Sequence, residues 1–251
     1  MSETGMAAGR TIVVTGASSG IGKATAELLL ESGYGVVATA RDADRLNSIY
    51  GDRAGAHIIP WNLSEPEGIG DYAKAVHAAV GAIGGLVHSA GVFGLTPSYL
   101  IKPSVIDSIF HINTYAGMLL VSSFMKKGRY GEGASFVLIS SLSAHRGVVG
   151  GSVYAASKAA LEGFTIAAAP ELADKNARIN CIAPGTVESP MTSRGREKLD
   201  DAQIAAQHES YPLGIGTPAD IGNFAEYLIS DRAKWITGRT FVLDGGHLAR
   251  K

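Results

Sequence analysis

Cysteine is almost missing from this chain. Cys181 is the single thiol among 251 residues, which excludes an intramolecular disulfide framework and fits a reducing, cytoplasmic setting. It sits in an apolar run, residues 179–183, where a small buried side chain is the expected role. Strong charge of either sign is missing as well. The formal net charge is −1, so no global field favours nucleic acid or an anionic membrane surface as a partner. Long apolar runs are missing too. The segment MSETGMAAGR lacks the apolar core of a targeting signal, and no stretch reads as a membrane span. No metal-ligand set is assigned. Repeats, low-complexity tracts and linkers are absent, so residues 1–251 are expected to form one domain.

Glycine and apolar side chains are what the chain has in quantity. Glycine occurs 32 times and 46% of residues are hydrophobic, a balance that supports a large core and many tight strand–helix turns. The organising stretch is TIVVTGASSGIG, residues 11–22. Ile12, Val13 and Val14 have the β-branched character of a buried parallel strand. Gly16, Gly20 and Gly22 follow, interleaved with Ser18, Ser19 and Ile21, and a helical pattern begins with Ala24, Leu28 and Leu29. Glycines permit a tight turn and close approach of a ligand. The start of the helix offers unpaired N–H groups suited to a pyrophosphate. The G-x-x-x-G-x-G spacing is a relative of the dinucleotide fingerprint rather than a match to it.

Strand-like and helix-like segments alternate along the rest of the chain. Further strands are expected at 35–40, 57–61, 86–88, 135–140, 178–183 and 240–243, with helices at 22–32, 66–81, 104–127 and 152–174. Asp42 or Asp44 could start another helix. Pro170 should kink the 152–174 helix or end its regular part early. Residues 185–216 are polar and irregular, too long for a plain link, and read as a lid (about 186–212) containing short helices. Thr217-Pro218-x-Asp220 starts a last helix through a capping threonine and a proline at its first position. The fold class is α/β: a Rossmann-like, doubly wound parallel sheet of seven strands with helices on both faces.

Tyr154 and Lys158 are four residues apart on a predicted helix and project from one face. A free phenol titrates near 10, and a lysine ammonium one turn away should favour the phenolate and lower that value. Ser141 ends the fifth strand, where open α/β sheets place ligands, and its hydroxyl could orient a carbonyl or alcohol.

Thr15-Gly16-x-x-x-Gly20-Ile21-Gly22, Asn113 in a long helix, Ser141, Tyr154-x-x-x-Lys158 and Pro184-Gly185 together resemble the short-chain dehydrogenase/reductase family. The resemblance runs to the closing Asp244-Gly245-Gly246 and is strongest to its 3-oxoacyl-carrier-protein reductase-like branch. It implies that Tyr154 is the general acid/base, that Ser141 orients the reacting oxygen, that Lys158 holds the nicotinamide ribose, and that Asn113 supports a water relay. It also implies cofactor contacts from Gly16, Ser18, Ser19, Gly20, Ile21, Gly22, Asn62, Leu63, Ser89, Ala90, Gly91, Pro184, Gly185, Val187 and Ser189. Two positions depart from the family pattern. His88-Ser89 stands where the family has two asparagines, and His88 reads as structural rather than catalytic. Asn62 stands where an aspartate often meets the adenine.

Cofactor choice is read near the end of the second strand. Ala40 leaves the usual acidic position empty and Arg41 follows with a fork suited to phosphate. Asp42 could pair with Arg41 or cap the next helix. NADP(H) is therefore favoured, with NAD(H) as the alternative. The expected activity is NADP(H)-dependent reduction of a carbonyl, with a small-molecule or acyl-thioester substrate. A sugar or small-ketone dehydrogenase using NAD(H), and a non-catalytic cofactor sensor, are the competing readings. Small residues on the two long helices, with the family's pairing habits, imply a homotetramer or else a dimer. Lys126, Lys127, Arg129 and Lys175 fall where carrier-protein reductases of the family present cations.

Overall fold

Neighbouring residues of each strand point to opposite faces, and here both faces are apolar. Ile12 and Val14 belong to one buried cluster and Val13 to the other. Val87, Val137 and Ile182 repeat the first side; Leu86, Phe136, Leu138, Ile179 and Cys181 repeat the second. Strands buried on both sides need helices on both sides, which is why the runs are continuous rather than alternating.

The computed structural model describes residues 9–196 and 200–250. Its strands are β1 Thr11–Thr15, β2 Gly35–Thr39, β3 Ala56–Ile58, β4 Ile83–His88, β5 Tyr130–Ile139, β6 Arg178–Pro184 and β7 Thr240–Leu243. They form one seven-stranded sheet in the order β3-β2-β1-β4-β5-β6-β7, parallel at every pairing. The helices are α1 Gly20–Glu31, α2 Ala43–Tyr50 and α3 Ile69–Val80, then α4 Pro103–Phe124, and α5 Ser152–Ala173, α6 Pro190–Arg196, α7 Asp201–Glu209 and α8 Pro218–Ile229. Helices α3, α4 and α5 cover one face through Tyr72, Val76, Leu120, Phe124, Leu161 and Leu172. Helices α1, α2 and α8 cover the other through Leu29, Leu46, Ile221 and Leu228. Thr217 accepts from the Asp220 N–H and Asp220 answers on the Thr217 N–H, a reciprocal cap on α8.

Several sequence expectations need correction. The 104–127 helix stops at Phe124, because the chain turns through Gly128 at φ +86° to enter β5. β5 starts at Tyr130 rather than 135, and its first pairing with Ile83 is followed by a register shift; Gly133 at φ +70° sits in that irregular stretch. β3 ends at Ile58, short of 61. Pro170 does not end α5, which continues to Ala173. The carbonyl deprived of its N–H partner belongs to Ile166, which is 63% exposed, so water can take the missing donor's place. α4 is long and apolar enough, by length and composition, to cross a membrane, contrary to the sequence reading. In the fold its Ala116, Leu120, Val121 and Phe124 lie in the core. Cys181 is buried as expected, and burial pushes its thiol up to about 12.

Candidate functional site

The β1–α1 turn is a cradle built from absent side chains. Gly16 takes φ +68°, and a Cβ there would lie 2.9 Å from the Ala90 nitrogen. A Cβ on Gly22 would lie 2.4 Å from the Gly16 carbonyl oxygen. The turn thus packs backbone to backbone against the end of β4, where the Ala90 N–H donates to Thr15 Oγ1 at 3.2 Å. Ser19 starts α1 without a side-chain cap bond, and no acidic residue stands in the first turn. The first N–H groups of α1 therefore lack an internal anion, a donor set that fits a pyrophosphate. Ser18, Ser19, Gly20 and Ile21 lie on this turn, and a Cβ on Gly20 would touch Ser189 Cβ at 3.4 Å. The start of the lid therefore lies against the glycine turn.

Asp42 resolves as a cap: it accepts from the Arg45 N–H at 2.9 Å. Arg41 is exposed and has no carboxylate partner among the described residues. Arg45, which sequence reasoning missed, donates from Nε to the Ser18 carbonyl at 2.9 Å, so a second guanidinium reaches the glycine turn. Asn62 is engaged locally, donating to Glu65 Oε1 at 2.7 Å and accepting from the Ser64 hydroxyl at 2.7 Å. Leu63 beside it is buried.

Tyr154 and Lys158 do share a face of α5, with the Lys158 ammonium 6.0 Å from the Tyr154 ring centroid. Both are buried, and Lys158 donates to the Ile139 carbonyl at 2.8 Å. Burial depresses Lys158 to about 8. The expected lowering of the phenol is not what the geometry gives: burial raises Tyr154 above its ordinary value, and hydrogen bonding from Ser141 only partly opposes it. Ser141 follows β5, caps the short turn Leu142–Ala144, and accepts from the Ser143 N–H at 3.1 Å. Asn113 lies in a π turn, His111–Tyr115, inside α4. Its side chain clamps Val92, accepting from that N–H at 2.8 Å and donating to that carbonyl at 3.0 Å, and it also donates to Ser157 Oγ at 3.0 Å. A Cβ on Gly91 would meet Asn113 Oδ1 at 3.0 Å and Lys158 Nζ at 3.4 Å. Gly91, Asn113 and Lys158 are thereby brought together with Ser141 and Tyr154 at the carboxyl edge of the sheet.

His88 sits beneath this group and is fully buried. Its Nδ1 lies 2.9 Å from Thr15 Oγ1. The Thr15 hydroxyl accepts from Ala90; where it also donates to His88 Nδ1, the imidazole proton is on Nε2. That Nε2 has no partner of good geometry. Burial, aided by the Lys158 charge and offset by the Ile112 carbonyl, pushes His88 down to about 3. It is a neutral brace, tying Thr15, just before the glycine turn, to β4.

Pro184 ends β6, and Gly185 donates to the Leu243 carbonyl at 2.8 Å. Val187 is buried, and Ser189 Oγ accepts from the Thr192 N–H at 3.2 Å at the start of α6. The Tyr211 hydroxyl receives the Thr186 N–H at 2.9 Å and pairs with Thr186 Oγ1 at 2.7 Å. The Tyr211 ring stacks on His247, with centroids 4.4 Å apart. The far end of the lid is thus fastened to Thr186 and to the turn after β7, a fastening the sequence did not reveal.

Residues 16–247 match the family described as Enoyl-(Acyl carrier protein) reductase, and the fold and glycine turn agree with the wider group of short-chain oxidoreductases. The chain belongs to the short-chain dehydrogenase/reductase family. Within that family it is 32% identical to the 3-oxoacyl-[acyl-carrier-protein] reductase of Thermotoga maritima, over 95% of this chain and 97% of that protein. The crystal structure of a short-chain dehydrogenase/reductase from Brucella melitensis superposes with a TM-score of 0.89 at 29% identity, covering 96% of this chain and 98% of the other. A protein from Beutenbergia cavernae assigned as an NAD(P)-dependent gluconate 5-dehydrogenase, solved with NADP at low occupancy, gives 0.87 at 31% identity, covering 97% and 98%. This short-chain dehydrogenase/reductase is an NAD(P)-dependent oxidoreductase acting on CH–OH and C=O groups.

Proposed function

We propose that the protein is an NADP(H)-dependent carbonyl reductase in which Tyr154 is the proton donor. The observation that carries this reading is the convergence of Ser141, Tyr154 and Lys158 at one end of the sheet. When bound, the nicotinamide supplies or accepts the hydride. Gly16 to Gly22 with the first turn of α1 would hold the pyrophosphate. Asn62, Leu63 and Ser89 to Gly91 would flank the adenosine and ribose, and Pro184, Gly185, Val187 and Ser189 would close over the nicotinamide end. In reduction, Ser141 fixes the carbonyl oxygen and Tyr154 Oη releases its proton to it. A phenol held above its ordinary value keeps that proton at neutral pH, which suits a general acid. Lys158 would hold the ribose hydroxyls and return the proton to Tyr154, with Asn113 steadying the relay.

Arg41 and Arg45 favour NADP(H), because Arg45 reaches the glycine turn, Arg41 is exposed without a carboxylate partner among the described residues, and Ala40 stands at the usual acidic position. Arg41→Ala should weaken NADPH by one to two decades, from loss of a charge-assisted bond of roughly 1.5–3 kcal/mol, and leave NADH unaffected. Equal loss for both cofactors overturns the NADP reading. The relatives' names support a 3-oxoacyl thioester as substrate. NADPH and NADH consumption, followed by absorbance across small ketones, sugars and 3-oxoacyl thioesters, tests the whole assignment; consumption only with NADH or only with sugars would overturn it.

The reading extends to a cytoplasmic homotetramer formed by one domain with a lid. Support comes from Tyr115, Leu119 and Ile166, which stand exposed on α4 and α5, and from Val242 on the edge strand β7. Both surfaces suit a second copy. A monomer by light scattering at micromolar concentration overturns it.

A further inference from the structure

Phe93 is part of no cofactor motif, yet it touches the proposed acid. Its ring meets the Tyr154 ring edge to face, with centroids 5.0 Å apart and planes at 81°. The contact is held in place from behind. Asn113 clamps both polar groups of Val92, the preceding residue, and a Cβ on Gly94, the following one, would press on Ile109 Cδ1 at 3.3 Å. Despite this support, Phe93 remains 39% exposed. A second loop joins the first, since the Thr96 N–H donates to the Gly150 carbonyl at 2.7 Å.

Both loops leave apolar side chains open. Leu95, Val148 and Val149 are 49%, 40% and 98% exposed. The charged side chains of the second loop are committed elsewhere: His145 pairs with Glu162, and Arg146 with His247. An apolar side chain left exposed, with its neighbours also apolar and a reactive phenol at its edge, has a definite use. It can exclude water from the phenol and receive an apolar group attached to the reacting carbon.

We propose that Phe93 is a specificity-determining residue that packs the alkyl or acyl arm of the carbonyl substrate, with Leu95 and Val148 continuing the surface. This rests on Tyr154 as the proton donor. The subsite selects apolar carbonyl compounds over polyols, because a hydroxylated arm would lose its water against Phe93 and find no hydrogen-bond partner there. It also separates this chain from a sugar dehydrogenase by a physical feature of the site.

The test uses the full chain with unbranched methyl ketones of increasing length, and unreactive unbranched alkyl amides titrated by calorimetry. For the wild type, kcat/KM and amide affinity should both rise by up to about fourfold for each methylene that the surface covers. Phe93→Ala should flatten both series, with the loss growing with chain length and residing in KM, while Phe93→Leu restores most of the gradient. A wild-type series with no gradient, or a gradient that Phe93→Ala leaves intact, overturns the assignment. Tyr154→Phe separates the two readings. Its turnover should fall by on the order of 10²–10⁴ with the amide gradient intact; wild-type turnover overturns the proton-donor reading and this proposal with it. A flat amide series beside an impaired Tyr154→Phe variant overturns Phe93 alone.

Discussion

Helix α5 and the lid pair α6–α7 border the same site and are built in opposite ways. α5 buries Val153, Tyr154, Ser157, Lys158, Leu161, Thr165, Ala168, Ala169 and Leu172. α6 and α7 bury no residue at all among those described. These α5 side chains are therefore fixed by packing, whereas the lid is held at its ends, by Ser189 and Val187 on one side and Tyr211 on the other. Proton transfer tolerates little misplacement, and the packed helix gives the groups proposed for it that fixity. Between its buried ends, Val187 and Tyr211, the lid can be rewritten without touching the core.

The contrast makes graded predictions. Tyr154→Phe should cost on the order of 10²–10⁴ in turnover while cofactor titration by fluorescence stays intact; wild-type rates in that variant would remove chemistry from α5. Next come the two buried bases beneath the site, whose folded values lie below their unfolded ones. His88 sits at about 3 against an ordinary 6.5, so the unfolded chain holds its proton and the folded chain does not between those values. Its stabilising share is complete above pH 6.5 and is lost as pH falls towards 3, up to ~5 kcal/mol. His88→Asn should blunt that acid sensitivity in urea titrations; an unchanged acid limb would mean that His88 is not buried neutral. Lys158, at about 8 against 10.5, works the same way in an alkaline window. Stability should climb by up to ~3 kcal/mol between pH 8 and 10.5, and Lys158→Met should abolish the climb. The smallest effect belongs to the lid. Tyr211→Phe removes hydrogen bonds to Thr186 worth about 0.5–1.5 kcal/mol each and should raise KM severalfold, leaving the melting temperature nearly unchanged. A large drop in melting temperature would show that the lid is integral to the core after all.

Sequence reading reached what periodicity and residue type encode. The β-branched runs located the seven strands, and the four-residue spacing put Tyr154 and Lys158 on one face. It failed where the answer depended on a distant partner. Arg45 matters because Ser18 lies beside it, Phe93 because Tyr154 does, and Tyr211 because Thr186 and His247 meet it. The π turn around Asn113 leaves no mark in the apolar spacing of α4. The direction of the Tyr154 shift was misjudged because a neighbouring lysine is visible in sequence and burial is not. Pro170 was weighed by local rule alone, although exposure of Ile166 settles its cost.

The central position of β1 also governs how the chain can fold. β1 pairs with β2 on one side and with β4 on the other, so the strand carrying the glycine turn keeps an open edge until a segment some seventy residues later arrives. During synthesis the first three strands can associate early, but Thr15 cannot reach His88, nor Gly16 approach Ala90, before β4 emerges. Late parallel closure of this kind is slow and leaves a sticky edge exposed in the meantime. Refolding should therefore pass through an intermediate with β1–β3 protected from hydrogen exchange and the β4 amides still open, and the cofactor cradle should be completed only when that edge closes.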